Sequence, residues 1–150
     1  METIAQKLRI KKFPFIIHNE DGKELYYEDS EGYWFKREYD SENRLTYYQD
    51  SCGSWQKKER NPSGQISCYE DSSGYWYKKE FDANNQTIYF EDSSGHSVEQ
   101  EYDSVDKDKV IYYKNSKGRT FDYREKRIEM TISEIAKKLG IDSKLLFIKE

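Results

Sequence analysis

The sequence predicts a mainly β protein, an antiparallel β-meander of tandem 21-residue hairpin repeats with about eleven strands in a twisted or curled sheet and short capping α-helices at both termini. Three observations predict it. One motif recurs at a nearly constant period, turn-forming residues recur halfway between its copies, and the stretches between turns are six or seven residues rich in Tyr, Trp, Ile and Thr. Fixed-period self-similarity marks repeat architecture, and runs of that length and composition are strand-like.

The motif reads Tyr27-Glu28-Asp29-Ser30-Glu31-Gly32-Tyr33-Trp34, Tyr48-Gln49-Asp50-Ser51-Cys52-Gly53-Ser54-Trp55 and Tyr69-Glu70-Asp71-Ser72-Ser73-Gly74-Tyr75-Trp76. Phe90-Glu91-Asp92-Ser93-Ser94-Gly95 and Tyr113-Lys114-Asn115-Ser116-Lys117-Gly118 follow, so the glycines are spaced by 21, 21, 21 and 23 residues. The intervening turns are Asn19-Glu20-Asp21-Gly22, Asp40-Ser41-Glu42-Asn43, Asn61-Pro62-Ser63-Gly64 and Asp82-Ala83-Asn84-Asn85. Each opens with Asp or Asn and closes with Gly or Asn, as a type I turn followed by a bulge requires. The segment Asp103-Ser104-Val105-Asp106-Lys107-Asp108 is two residues longer, which accounts for the last spacing.

Strands over residues 13–18 through 119–124 would place Tyr33, Phe35, Arg37 and Tyr39 on one face and Trp34, Lys36 and Glu38 on the other. Neither face is purely apolar, which fits a sheet wetted on both sides. Since a repeat contributes two strands, equivalent residues recur on one face about 10 Å apart. Trp34, Trp55 and Trp76 form one such ladder, Lys36, Lys57 and Lys78 a second, and Glu38, Glu59, Glu80 and Glu101 a third. The pattern changes in the fourth repeat, where Ser97 and Glu99 replace Trp and Lys and make the surface more acidic.

The chain reads as one repeat domain, with an N-terminal cap helix in 1–12, repeats over 13–124, and a cap helix and strand in 125–150. Glu2 to Leu8 and Ile135 to Leu139 are short amphipathic segments, the second opened by the capping box Thr131-Ile132-Ser133-Glu134 and stopped at Gly140. Helices there would cover the sheet's two edges against aggregation. Ile135 to Ile141 also resembles the first helix and turn of helix-turn-helix DNA binders. Leu145-Leu146-Phe147-Ile148 reads as a strand rather than the recognition helix that such a reading needs.

Hydrophobic residues make up 35% of the 150 residues and charged residues 36%, against about 45–50% and about 25% in ordinary domains. The 16% aromatic content supplies flat apolar faces with polar tips, suited to a thin structure. A net charge of −4 speaks against direct nucleic-acid binding. Cys52 and Cys68, like His18 and His96, lack metal-ligand spacing, so neither metal nor cofactor is expected. No secretory n-region or membrane-length apolar run is present, which implies a cytoplasmic protein and no membrane partner. Phosphate loops and nucleophile motifs are missing, and carboxylates recurring at every turn read as turn formers, so no catalytic residue is expected.

The unit at 27–40 and 69–82 resembles a tandem-repeat family of small proteins from bacteria, phages and mobile elements. It is distantly similar to the Tyr-Asp repeats of Rhs-type proteins through Tyr39-Asp40, Phe81-Asp82 and Tyr102-Asp103. In size, charge and context the chain looks like phage-encoded anti-defence proteins, including anti-CRISPR proteins that occupy the basic channel of an RNA-guided nuclease. That resemblance implies a non-enzymatic, protein-binding inhibitor whose partner is a nucleic-acid-binding nuclease or its RNA-guided complex. The expected contact residues are Asp92, Glu99, Glu101, Asp103, Asp106 and Asp108. Tyr26 to Gly32 is also similar to choline- and cell-wall-binding hairpin repeats, which would make Trp34, Trp55 and Trp76 an aromatic ladder for glycans or quaternary amines. The same rings equally serve to stabilise neighbouring strands. Self-pairing of the open sheet into a homodimer or larger assembly is the third reading.

Overall fold

The computed structural model describes residues 2–124 and 131–140. One turn of helix, α1 (Ile4–Lys7), precedes eleven strands: β1 (Phe15–His18), β2 (Glu24–Glu28), β3 (Trp34–Tyr39), β4 (Leu45–Asp50), β5 (Trp55–Arg60), β6 (Ile66–Asp71), β7 (Trp76–Phe81), β8 (Thr87–Asp92), β9 (Ser97–Tyr102), β10 (Val110–Asn115) and β11 (Thr120–Asp122). Helix α2 (Ile132–Leu139) follows. The strands form one antiparallel sheet in sequence order from β1 to β11, and it does not close on itself. The eleven-strand meander with terminal helices is thus the expected architecture. The strand expected at 145–148 lies outside the described residues.

One turn design recurs in every hairpin except the longer β9–β10 loop. In Asp71–Gly74 the Gly74 N–H donates to the Asp71 carbonyl and the Asp71 N–H to the Tyr75 carbonyl, both at 3.0 Å. The same pair of bonds joins Asn19 with Gly22 and Lys23, Asp40 with Asn43 and Arg44, and Asp82 with Asn85 and Gln86. The first residue's side chain completes the turn. Asp82 Oδ1 accepts from the N–H groups of Asn84 and Gln86 at 2.8 and 2.9 Å, and Asp50 Oδ1 from those of Cys52 and Ser54 at 2.9 and 3.1 Å. The fourth position is left-handed, with φ of +85° at Gly74 and +63° at Asn85, which restricts it to Gly or Asn.

A second irregularity sits inside the strands. Glu38 faces Tyr47 while Tyr39 faces Leu45, leaving Thr46 as an extra residue; Ser67 and Ile88 occupy the same place in β6 and β8. Such bulges bend the strand and sharpen its twist. Because of this stagger the straight cross-strand rows do not join equivalent residues. One row reads Glu38, Tyr47, Lys57, Glu70, Trp76, and the next Glu59, Cys68, Lys78, Glu91, Ser97. The expected Trp, Lys and Glu ladders do share one face, but they run obliquely, and each Trp stands opposite Glu28, Gln49 or Glu70.

The opposite face carries ring stacks. Tyr27 lies on Phe35 at 5.3 Å and Phe35 on Tyr48 at 6.1 Å; Tyr69 lies on Tyr77 at 5.5 Å and Tyr77 on Phe90 at 6.1 Å; Tyr113 lies on Phe121 at 5.4 Å. Each such pair contributes about 0.5–1.5 kcal/mol beyond its buried area. Gln56 and Val98 stand where a ring would continue the stacks. Arg37 lies 4.2 Å from the Phe35 ring and Lys79 5.1 Å from that of Tyr77, so cationic stems cover aromatic surface that a second layer would otherwise bury. Among the described residues the buried hydrophobics are only Ala5, Tyr26 and Ala136. The sheet stands as a single layer, wet on both faces.

The helices differ in part from expectation. Thr3 and Thr131 both close capping boxes, and Gly140 ends α2 in the left-handed region at φ +68°. Yet α1 lies on the tryptophan-bearing face rather than over the outer edge of β1. The reason is Glu28, buried on that face, whose carboxylate accepts from the Thr3 hydroxyl at 2.7 Å, the Ala5 N–H at 3.2 Å and the Tyr26 hydroxyl at 2.6 Å.

Two measurements check this account. Gly74→Ala meets open space but must hold φ +85°, so chemical denaturation should show a loss of about 1 kcal/mol. Bonds from Ser73, led by its hydroxyl, hold the Asp71 carboxyl below its ordinary range, and those from Ser94, again hydroxyl first, do the same for Asp92. Backbone bonds from Asp106 and Val105 lower Asp103. A depressed carboxyl stabilises the fold above its unfolded pKa, about 3.9 for Asp, and that contribution is lost as pH falls through the lower folded value. The urea midpoint should therefore drop below about pH 4, and Asp71→Asn, which keeps the acceptor, should make the drop shallower.

Candidate binding surface

The tryptophan-bearing face changes character along the sheet. From β3 to β7 lysines and glutamates alternate: Lys36 and Glu38, Lys57 and Glu59, Lys78 and Glu80. Lys57 bonds Glu59 at 2.9 Å, and that contact raises the lysine's pKa. In the next strand Glu99 takes the lysine position. The row there reads Glu80, Tyr89, Glu99, Lys114, Thr120, so Tyr89 stands between two glutamates, while its hydroxyl donates to a third, Glu91, at 3.1 Å. The bond to Glu91 is the leading cause of a raised Tyr89 pKa, with burial next and the charges of Glu91, Glu80 and Glu99 following. Glu80 and Glu99 thus flank Tyr89 from either side, while Lys114 stands opposite Glu99 and Lys78 opposite Glu91.

The six acidic residues singled out from sequence are not gathered in one place. Glu99 and Glu101 lie on the tryptophan-bearing face of β9, Asp92 ends β8 and opens the β8–β9 turn, and Asp103, Asp106 and Asp108 lie in the loop at the other end of β9. Six residues of strand, about 20 Å, separate the two ends. Two of the carboxylates are engaged by their own turns. Asp92 Oδ1 accepts from Ser94 N–H and Oγ–H at 2.9 and 2.5 Å, and Asp103 Oδ1 from the N–H groups of Val105 and Asp106 at 2.8 and 2.9 Å. Glu101 is paired with Arg124 at 2.8 Å. Sequence reading placed Glu91 in an acidic turn expected at the contact and Glu80 in the glutamate ladder, but did not join either to Glu99, as the register does around Tyr89. The signal for that grouping was the loss of the lysine at 99, readable once the rows are known to be staggered.

The tryptophans are not equivalent either. Trp34 stacks on Tyr26 at 6.3 Å and lines a cleft of about 280 Å³ beside α1, together with Ile4, Lys7 and Lys36. Lys78 approaches the Trp76 ring at 6.0 Å, and Trp55 lies across from Gln49. The extended ring stacks occur on the other face, where parallel planes turn ring faces toward one another. Among the described residues no group of three or more His, Cys, Asp or Glu side chains is placed to hold a metal ion, and no helix is long and apolar enough to cross a membrane.

Fold and surface together define, among the described residues, an open, single-layer tandem-hairpin sheet. No family model matches the chain, and no curated protein does. Among solved structures it is similar to a chain of the Photorhabdus luminescens Tc holotoxin pore with a mutant TccC3, at 17% identity over 68% of this chain and 5% of that one, with a TM-score of 0.45. It is likewise similar to a chain of TcdB2-TccC3, at 17% identity over 68% of this chain and 5% of that one, with a TM-score of 0.44. The chain spans about 5% of the length of these proteins.

Removing the buried acceptor tests the seat of α1. Glu28→Ala leaves the Thr3, Ala5 and Tyr26 donors without their partner, and urea unfolding should show a loss of about 1–3 kcal/mol. Burial, then the bond to Glu28, raises the Tyr26 pKa to about 12. The variant should bring that titration down, readable by ultraviolet absorbance at alkaline pH.

Proposed function

We propose that this chain is a non-enzymatic binding protein that docks its acidic sheet surface on a basic protein surface, and that it serves as a phage or mobile-element inhibitor of a bacterial defence nuclease of the anti-CRISPR type. The observation that carries the reading is the patch on β7–β9, where Glu80, Glu91 and Glu99 surround Tyr89 and Glu80 and Glu99 are exposed. A rigid array of carboxylates at strand spacing suits a groove built for phosphates, because complementary potential speeds encounter and fixes orientation. The acidic loop Asp103–Asp108 extends the same charge beyond the end of β9. The proposed partner is therefore a nucleic-acid-handling nuclease or its RNA-guided complex, met in the bacterial cytoplasm.

The test is a titration of the full chain into DNA-cleavage reactions of a panel of RNA-guided nuclease complexes at 50 and 300 mM salt. Inhibition at low salt that weakens at high salt is expected, since exposed charges are screened within about 10 Å at 0.1 M. Simultaneous Glu99→Lys, Glu101→Lys, Asp106→Lys and Asp108→Lys should abolish it while circular dichroism stays unchanged; these positions leave the turn-forming Asp92 and Asp103 intact. Inhibition that survives the four reversals, or no inhibition of any complex, sinks the proposal.

A further inference from the structure

Tyr26, Tyr47, Tyr89 and Tyr112 occupy one repeat position on the tryptophan-bearing face, with Cys68 as its remaining member. Tyr26 is buried and stacked on Trp34. The Lys36 ammonium lies over the Tyr47 ring at 4.9 Å, and the Arg124 guanidinium over the Tyr112 ring at 4.1 Å. The fold itself therefore twice seats a cation on this tyrosine. Over Tyr89, among the described residues, there is none, although its surroundings favour one most. Glu80 and Glu99 are its direct neighbours across the strands, and Glu91 accepts its hydroxyl. Lys78 and Lys114 face Glu91 and Glu99 across the strands. Neither forms an ion pair within 4 Å among the described residues, and Lys78 is directed to the Trp76 ring instead.

We propose that Tyr89, Glu80, Glu91 and Glu99 form a seat for one cationic side chain, an arginine above all, of a basic segment of the partner protein. The inference rests on the acidic-surface reading above and narrows it to one contact. A guanidinium lying on the ring would meet the ring's negative face, and its edge N–H groups would reach the carboxylates on either side. Arginine is favoured over lysine because it stacks flat and donates in two directions at once.

The measurement is calorimetric titration of the full chain with an octa-arginine peptide at 50 mM salt. Glu99→Lys and Glu59→Lys change the net charge equally and lie on the same face, but only the first touches the seat. Lysine already occupies the matching position at 36, 57 and 78, so the first variant retains the fold's own pattern. Binding should weaken by about tenfold or more in Glu99→Lys and about fivefold in Tyr89→Ala, and by less than about twofold in Glu59→Lys. Equal weakening by the two lysine variants would mean that binding follows net charge, which overturns the seat and leaves the acidic surface standing. No binding by the unaltered chain also overturns the seat, and the nuclease titration then decides the broader reading by itself.

Discussion

Everything in this sheet depends on a turn that carries its own hydrogen-bond acceptor. A single layer cannot rely on a buried interior to hold its hairpins in register, so register has to be set locally. In most turns the opening Asp or Asn does this by accepting backbone N–H groups two and four residues on, as Asp82 does from Asn84 and Gln86. The Gly or Asn at the fourth position supplies the left-handed backbone that such a turn needs. Repeating it on alternate ends of the strands brings the chain back about every ten residues and produces the meander.

The bulges at Thr46, Ser67 and Ile88 then decide who meets whom. Each extra residue offsets the register, so that a straight row across the sheet passes through different positions of successive repeats. On one face this brings Tyr69, Tyr77 and Phe90 into a continuous stack with Lys79 against it. On the other it interleaves Glu, Tyr and Lys, so that most charges face an opposite charge or an aromatic ring. The two faces thereby divide the work. Ring stacking supplies cohesion on one, and the other presents a charge pattern to solvent.

That division gives one position particular weight. A lysine at 99 would continue the alternation of Lys36, Lys57 and Lys78; a glutamate there converts a balanced row into one with carboxylates on both sides of Tyr89. Such a row presents negative charge to which positive charge is complementary. The proposed docking on a basic partner follows from this imbalance, and the cations seated on Tyr47 and Tyr112 show the geometry that it would reproduce.

Strand number, turn type and the sharing of a face by Trp34, Lys36 and Glu38 were legible in the sequence, because each depends on residues within one hairpin: Asx and Gly spacing sets the turns, and two-residue periodicity sets the faces. The change of surface at Ser97 and Glu99 was legible as well, as a departure from a visible repeat. The assembly of Glu80, Glu91 and Glu99 around Tyr89 was not, since it depends on the bulge-generated offset, and nothing in the composition of Thr46, Ser67 or Ile88 marks them as extra residues. Nor was the seating of α1 on the sheet face, which follows from Glu28, a motif residue that reads like its neighbours until its three donors are seen to converge on it. Local backbone chemistry determined the elements and their order. Only the tertiary register decided which side chains of different repeats came to share a place.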